Sequence, residues 1–563
     1  MKLILAEYID SLKEDGELDK LIQDILRAYG ITIFVAPEKG RQFGVDIYAI
    51  GKDFEDNGRE KVFLITVKQG DLDRNTWHGN QNSLQPSLED IRTVFIRSNL
   101  AAQHKHLPVK IVVAFNGLLK QQMQQNWRGY TESHPEFDYA LWNSGWILTQ
   151  FEAKLLSEDA FSSDTRSLLR KTIIHLENPD YQLTDFTDLL TKVIDQFKKA
   201  KIKKAKLKVL RELHVTVSII LKYAEQADNL MHSIRVSEKY LLTLWPVLNP
   251  GEPDKDFTLA FVAAHDTLMR TYLAYYNKIG FVGFIRDGYS RRAHDPVIYT
   301  YTMYEQIGII SMTGLILLQM CDLVGQANQA NISTFRENLE NKAKEVAATL
   351  ITTFNNNPIV YSPRADEQHI EICLALFLLQ KLGMQEQIRS LLYMFNNQIG
   401  EGFMFLHIFP EFTNSRRKIA ELEVDYEKRI KYDYQASNLF TVLAEWAAIT
   451  NDKNCYRLYF EMKERLLKEM DLLLWFPEKE TEDILFTKTA TLESGYALSN
   501  IVLPESLIEM RTIIKREYEN NCSEKEFSFI KQGIWSIGLL ASRHFRTYIF
   551  PYYWRQFLTE EDI

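Results

Sequence analysis

The chain has few cysteines, and none of them forms a recognisable metal-binding or redox motif. Cys321, Cys373, Cys455 and Cys522 are the only four in 563 residues, and no two form a Cys-x-x-Cys pair. Zinc sites and disulfide frameworks use cysteines at short or regular spacings. The sequence therefore predicts neither of them, and it favours a reducing compartment, the cytoplasm.

Long apolar runs and an excess of positive charge are also absent. The longest apolar run, residues 307–318, is about 12 residues long, and a membrane-spanning helix needs about 20. We expect a buried core helix there and no membrane span. The formal net charge is −9, so no overall positive field draws the chain to nucleic acid. Any contact with nucleic acid must come from a local site.

The most informative stretch is residues 40–70, which read as two apolar strands joined by a polar turn. The strands are residues 45–50 and 62–68, and the turn contains Asn57-Gly58, a pair typical of hairpins. Apolar side chains on both faces predict a covered sheet. Two charged residues, Asp46 and Lys68, lie near the ends of these strands. Because a buried unpaired charge is costly, this pair indicates a site.

An aspartate on one strand, a hairpin, and then x-Val-Lys on the next strand resemble the PD-(D/E)xK superfamily of restriction-endonuclease-like nucleases, in particular its Mrr-like branch. The resemblance covers roughly residues 1–155. It rests on an opening helix at residues 18–30, the Gly-x-Asp-Ile strand at 44–47, the strand with the lysine at 65–69, a fourth strand at 110–117, and a closing strand and turn at 142–148.

This resemblance implies a nuclease that uses Mg²⁺ or Mn²⁺, with Asp46 as a metal ligand and Lys68 as the catalytic lysine. A bound Mg²⁺ polarises water and phosphate, and a nearby lysine positions the water or offsets developing charge. The carbonyl of Val67 is a usual ligand in the family. On the residues alone, an Asp–Lys pair that only bridges two strands is the alternative.

The chain departs from the family pattern at Thr66, where the family has Glu, Asp or Gln. Thr66 and Lys68 share a face of the strand because they are two residues apart. A neutral hydroxyl is a poor substitute for a carboxylate on a hard cation. The candidate compensating ligands are Asp19 on the first helix, Gln69 after the lysine, and Glu89 on the following helix.

Beyond residue 155 the strand patterns nearly vanish and the apolar spacing becomes helical. The fold class predicted is an α/β restriction-endonuclease-like domain followed by a large all-α region, an irregular or solenoid-like helical array without a fixed repeat. The Pro- and Gly-rich stretch at residues 249–254 marks a boundary. The predicted divisions are a nuclease domain at 1–155, a helical linker or subdomain at 156–250, and a sensing, regulatory or oligomerisation region at 251–563.

The most basic stretch, residues 198–208, has seven lysines in eleven positions. Lysines on a phosphate backbone release counterions, which favours binding to nucleic acid. A solvated helix face is the alternative. The predicted nucleic-acid-binding residues are Lys198, Lys199, Lys201, Lys203 and Lys204.

The resemblance implies a metal-dependent nuclease, with DNA favoured over RNA as its substrate. By analogy with superfamily members that carry large helical appendages, a role in bacterial anti-phage defence is expected, with a homo-oligomer or a second protein as partner. One alternative is a degenerate nuclease fold that only binds nucleic acid or protein. Another is a helical scaffold whose N-terminal domain merely docks.

Overall fold

The computed structural model describes residues 2–34, 43–79, 83–155, 163–248, 254–292, 295–324, 331–478, 480–486, 495–498, 503–521, 526–548 and 552–558. The chain forms two compact units, Met1–His232 and Ser233–Ile563. The helices within residues 163–226 thus belong to the first unit. The divisions predicted at 155 and 250 stay predictions, since residues 156–162 and 249–253 lie outside the described residues, as does Cys522.

A five-stranded sheet forms the centre of the first unit. Its strands lie side by side in chain order, with β1, β2 and β3 antiparallel and β3, β4 and β5 parallel. The strands are β1 (Thr32–Phe34), β2 (Ile47–Lys52), β3 (Glu60–Lys68), β4 (Val109–Phe115) and β5 (Asp138–Trp142). Because β2 and β3 form the predicted hairpin, the pairing of Ile47 with Ile65 brings Asp46 beside Thr66.

Helices cover both faces of this sheet, as its apolar strands require. They are α1 (Lys2–Ser11), α2 (Asp19–Ala28), α3 (Arg74–His78), α4 (Leu84–Asp90), α5 (Gln121–Glu132), α6 (Ser144–Gln150), α7 (Ser163–His175), α8 (Thr184–Lys199) and α9 (Lys203–Gln226), with a kinked segment at Glu14–Leu18, wide helical turns at Ile91–Asn99 and Phe151–Leu155, and a 3₁₀ turn at Ala102–His104. One face packs against α1, α2, α6 and α9, and the other against α3, α4 and α5. Val215 and Ile219 of α9 therefore belong to the same core as the sheet.

The second unit is mostly helical, so the coarse prediction of an α/β part followed by a helical region is confirmed. The helices after α9 are α10 (Leu230–Leu244), α11 (Lys255–Ile279), α12 (Pro296–Val324), α13 (Asn331–Asn356), α14 (His369–Lys381), α15 (Gln385–Leu406), α16 (Arg416–Val424), α17 (Tyr426–Ile430), α18 (Leu439–Ile449), α19 (Lys453–Leu466), α20 (Thr481–Leu485), α21 (Leu507–Asn521), α22 (Ser528–Lys531), α23 (Ser536–Phe545) and α24 (Tyr552–Arg555). Short 3₁₀ turns lie at Gly280–Phe284, Gly288–Arg292, Pro358–Tyr361 and Asp366–Gln368. Two small strand pairs complete it: β6 (Ala436–Ser437) with β7 (Asp471–Leu472), and β8 (Leu474–Pro477) with β9 (Gly495–Leu498).

Helix α12 contains the longest apolar run of the sequence. Among the described residues, its segment Pro296–Leu323 is the one long helix apolar enough to cross a membrane, and 83% of its most apolar window is buried inside the structure. The core helix of a soluble protein has the same length and composition. The burial agrees with the core helix expected from the sequence.

Candidate active site

Asp46 lies directly before β2 and is held against β3. Its Oδ2 accepts hydrogen bonds from the Val67 N–H at 2.7 Å and from the Thr66 hydroxyl at 3.2 Å. Burial raises the pKa of Asp46, and the nearby negative charge of Glu14 adds to this rise, whereas the Val67 N–H, Lys68 and Thr66 oppose it. The ionised carboxylate is therefore short of positive charge, which is a property expected of a cation ligand.

The glycine two residues before Asp46 is required by the backbone. Gly44 has a φ of +77°, in the left-handed region, and a Cβ placed there would be 2.2 Å from the carbonyl oxygen of Ser87 in α4. Another residue would be strained and would also push α4 away. The close approach of α4 thus accounts for the glycine in the Gly-x-Asp pattern.

Lys68 ends β3 and forms an ion pair with a glutamate that the sequence did not single out. Its Nζ is 3.0 Å from Oε1 of Glu14, and the Gln69 N–H donates to Oε2 of Glu14 at 3.3 Å. The Lys68 side chain is 13% exposed. Glu14 also acts on the pKa of Asp46, so two carboxylates and one ammonium group meet at one end of the β2–β3 hairpin.

The sequence predicts helix throughout residues 1–30, ending at Gly30, and Glu14 reaches its position because this helix is broken. Helix α1 ends at Ser11, α2 begins at Asp19, and the backbone of Asp15 and Gly16 between them is not helical. Gly16 has a φ of +80°, a conformation that glycine adopts without strain. The prediction of one continuous helix is wrong, and its break supplies the second carboxylate.

Asn116 fixes the beginning of this break. It follows β4, is 3% exposed, and its Nδ2 donates to the carbonyls of Ile9, Asp10 and Leu12 at 2.9, 3.2 and 2.8 Å. Its Oδ1 accepts from the Gly70 N–H at 2.7 Å. One buried amide therefore joins the end of α1 to the segment that follows Lys68.

Lys222 of α9 fixes the other side of the break. Its Nζ is 3.2 Å from Oε2 of Glu17, and the same oxygen accepts from the Lys13 N–H at 2.9 Å. Lys222 and Lys13 also contact Glu225, at 3.2 and 3.5 Å. The loop that carries Glu14 is thus held from a helix outside residues 1–155, the region of the resemblance.

The remaining predicted residues have different surroundings. Asp19 accepts from the Lys20 N–H at 2.7 Å, and its pKa is raised by burial and, more weakly, by Asp15. Glu89 forms an ion pair with Arg92 at 2.7 Å. Gln69 contributes its backbone N–H to Glu14, and its side chain is exposed. Lys68 is one of the charges that lower the pKa of Asp46.

The donor groups at this site fit a single Mg²⁺ or Mn²⁺. Within the described residues, no group of three or more His, Cys, Asp or Glu side chains is arranged to hold a metal ion. Mg²⁺ needs fewer protein ligands, because one or two carboxylates, waters and substrate phosphate complete its shell. The carboxylates of Asp46 and Glu14 and the carbonyl oxygen of Val67 are donors of this kind.

Glu14, Asn116 and Lys222 are the residues that sequence reasoning missed. Only Glu14 has a local signal: Glu14-Asp15-Gly16-Glu17 interrupts the apolar pattern of the first helix with acids and a glycine. Comparison of the chain with protein-family models, curated proteins and solved structures finds no match, so the geometry of the site alone supports a functional proposal.

Proposed function

We propose that the first unit is a metal-dependent nuclease that hydrolyses phosphodiester bonds, with DNA as its substrate. The observation that carries the proposal is the meeting of Asp46, Glu14 and Lys68 at one end of a hairpin in a covered mixed sheet. A buried carboxylate short of positive charge, a second carboxylate and an ammonium group are what such hydrolysis requires.

Each residue has a distinct part in this proposal. A bound Mg²⁺ would polarise the phosphate and the attacking water. Asp46 and Glu14 would hold the cation, and the hydrogen bond from the Val67 N–H fixes the orientation of Asp46. Lys68, whose ammonium group is 3.0 Å from Glu14, would offset the negative charge that develops on the phosphate.

Glu14 also bears on the departure at Thr66. The Thr66 hydroxyl donates to Asp46, so this position provides no carboxylate at the end of β3 that carries Lys68. Glu14 brings a carboxylate to the same end of the strand from the break between α1 and α2. The second acid thus comes from the helical layer, although from a residue five positions before Asp19. The preference for DNA and a role in bacterial anti-phage defence rest on analogy with other members of the superfamily.

The direct test is cleavage of plasmid and single-stranded DNA by the full chain in Mg²⁺, in Mn²⁺ and in EDTA. We expect cleavage that requires metal and that falls on the order of 10²–10³-fold or more in Lys68→Ala, which removes the group that offsets charge. Lys52→Ala is the matched control, because Lys52 is exposed on β2. Cleavage by Lys68→Ala at the wild-type rate would contradict the proposal.

A degenerate site that only binds nucleic acid or protein is the second candidate, and the Thr66–Asp46 hydrogen bond favours it. Thr66 is 1% exposed, so Thr66→Glu adds a buried carboxylate beside Asp46. If the site is a weakened metal centre, this variant gains cleavage at limiting Mg²⁺ and its melting temperature rises more steeply with Mg²⁺ than that of the wild type. Thr66→Gln, similar in size but neutral, controls for volume. Metal-independent DNA binding without cleavage in all three proteins would support the degenerate site.

A further inference from the structure

The turn between α8 and α9, together with the first part of α9, concentrates positive charge. The unpaired lysines of this turn and the first part of α9 are Lys198, Lys199, Lys201, Lys204 and Lys208, all of them exposed and, within the described part of the chain, in no ion pair. Buried lysines elsewhere in the same unit are paired: Lys61 with Asp138 at 2.7 Å, and Lys110 with Glu55 at 2.7 Å. The basic turn is therefore an uncompensated patch on an acidic chain.

Three basic residues of α9, Lys204, Lys208 and Arg211, lie on the same helix face as the residues that join α9 to the sheet. Lys204, Lys208, Arg211 and Val215 are separated by three or four positions, and Lys222 follows two turns after Val215, so they share one helix face. Val215 is packed in the core that covers the sheet, and Lys222 holds Glu17 at 3.2 Å. This face of α9 therefore carries exposed basic residues in its first turns and, farther along, the residues that join α9 to the core and to the segment that carries Glu14.

The geometry of α9 gives the distance between the basic residues at its beginning and Lys222 near its end. Lys204 and Lys222 are 18 positions apart in one helix, which is about 27 Å at 1.5 Å per residue. Duplex DNA rises about 3.4 Å per base pair, so about eight base pairs cover this length. A duplex much shorter than this cannot reach from Lys222 to Lys204, whereas a longer duplex can.

We propose that the basic face of α9, formed by Lys204, Lys208 and Arg211 and extended by the turn lysines, anchors the backbone of a nucleic acid duplex that extends at least about eight base pairs from the candidate site. This inference rests on the proposed function for the location of the scissile phosphate. Each lysine or arginine that neutralises a phosphate releases counterions and adds affinity without sequence preference.

A lipid surface is the other large anionic partner that a lysine-rich turn could bind. Membrane binding by a surface segment grows with the apolar area that it buries. Ile202, 64% exposed, is the one large apolar side chain exposed among residues 198–208. A single isoleucine supplies little such area, and the alignment of the basic face with Lys222 favours the duplex.

The test is binding of fluorescently labelled duplexes of 8, 14 and 24 base pairs by the full chain in EDTA, where no metal-dependent cleavage occurs. The basic-face variant is Lys204→Gln/Lys208→Gln/Arg211→Gln. We expect it to bind the 24-base-pair duplex at least about tenfold more weakly. The slope of the logarithm of the binding constant against the logarithm of the salt concentration should become less steep by up to about 2.7, because three phosphate contacts are lost. The expected loss is smaller for the 8-base-pair duplex, because it only just covers the distance from Lys204 to Lys222 and leaves no length over for the candidate site.

The matched control is Lys52→Gln/Arg170→Gln/Lys171→Gln, which removes the same charge from exposed positions of the same unit. Equal weakening by both triple variants, or none by the basic-face variant, would overturn the anchor. Binding to anionic vesicles that the basic-face variant loses while duplex binding is unchanged would also overturn it. Lys68→Ala separates the two proposals. If Lys68→Ala abolishes cleavage but the basic-face variant binds the duplex normally, the anchor alone is wrong. If Lys68→Ala cleaves at the wild-type rate but the basic-face variant binds the duplex weakly, the nuclease alone is wrong.

Discussion

Replacement of Asp46 by asparagine is expected to abolish metal-dependent cleavage and, at neutral pH, to stabilise the first unit. The loss of cleavage is expected to be on the order of a thousandfold or more, because the proposed metal ligand loses its negative charge. The asparagine carbonyl can still accept the hydrogen bond that the Val67 N–H donates at 2.7 Å. The substitution therefore removes the negative charge of this side chain and keeps its hydrogen bond to the backbone.

The gain in stability follows from the direction of the Asp46 pKa shift. Burial raises the pKa of Asp46 in the folded protein above its ordinary value of 3.8. Between those two pKa values the folded state binds more protons than the unfolded state, so the free energy of unfolding falls as the pH rises through this window. Above the window the wild type keeps the whole cost of the buried charge. The Asp46→Asn variant does not have this cost, and we expect a gain of about 1 kcal/mol at pH 7.

The measurement is hydrogen exchange of the β2 and β3 amides, and urea unfolding, at pH 7 and at a pH below 3.8. The advantage of Asp46→Asn should be present at pH 7 and disappear in acid, where the wild-type carboxyl is protonated in both states. Asp90→Asn, at an exposed carboxylate, is the control, and it should change neither the hydrogen exchange nor the free energy of unfolding. A variant less stable than the wild type at pH 7 would mean that the charge is well compensated, as in a structural Asp–Lys pair.

The hairpin and its two charges could be predicted because their signals are local. Asn57-Gly58 specifies the turn, and apolar residues on either side specify two covered strands. Once β2 and β3 are paired, their register alone brings Asp46 beside Thr66. The α/β class of the first unit follows from the same short-range patterns.

The second carboxylate could not be predicted from local signals in the same way. Leucine and isoleucine recur on both sides of residues 12–18, so the helical pattern appears continuous. The break depends on the buried amide of Asn116, 107 positions from Ile9, and on Lys222, 205 positions from Glu17. Side chains this far apart in the chain leave no periodic signal, and only the packed structure shows that they meet.

For the same reason the unit that holds the site extends beyond the region of the resemblance. The pattern of strands ends near residue 155, whereas Val215 and Ile219 of α9 complete the core over one face of the sheet. Helix α9 also carries Lys222, the residue that holds Glu17. A helical segment that appeared from its sequence to be a linker is thus part of the structure that positions Glu14.

In the second unit, replacement of Arg555 by methionine is expected to destabilise the protein by about 3–5 kcal/mol. Arg555 and Glu445 are 2% and 0% exposed, and two hydrogen bonds of 2.5 and 3.2 Å join them. The guanidinium also lies 3.9 Å from the ring centre of Phe476. Methionine fills much of the space but leaves the Glu445 carboxylate buried without its cation.

A double substitution separates the cost of an orphaned charge from the loss of packing. Glu445→Leu/Arg555→Met removes both charges, and it should recover most of the stability that Arg555→Met loses, since a buried ion pair is often no more stabilising than apolar side chains of similar volume. Lys431→Met, which breaks the exposed Lys431–Glu427 pair at 3.6 Å, should change the free energy of unfolding by less than about 1 kcal/mol. Hydrogen exchange of Leu439–Ile449, the helix that carries Glu445, reports these changes locally. If the double variant is as unstable as Arg555→Met, the arginine stabilises this helix by packing against Phe476 and not by neutralising Glu445.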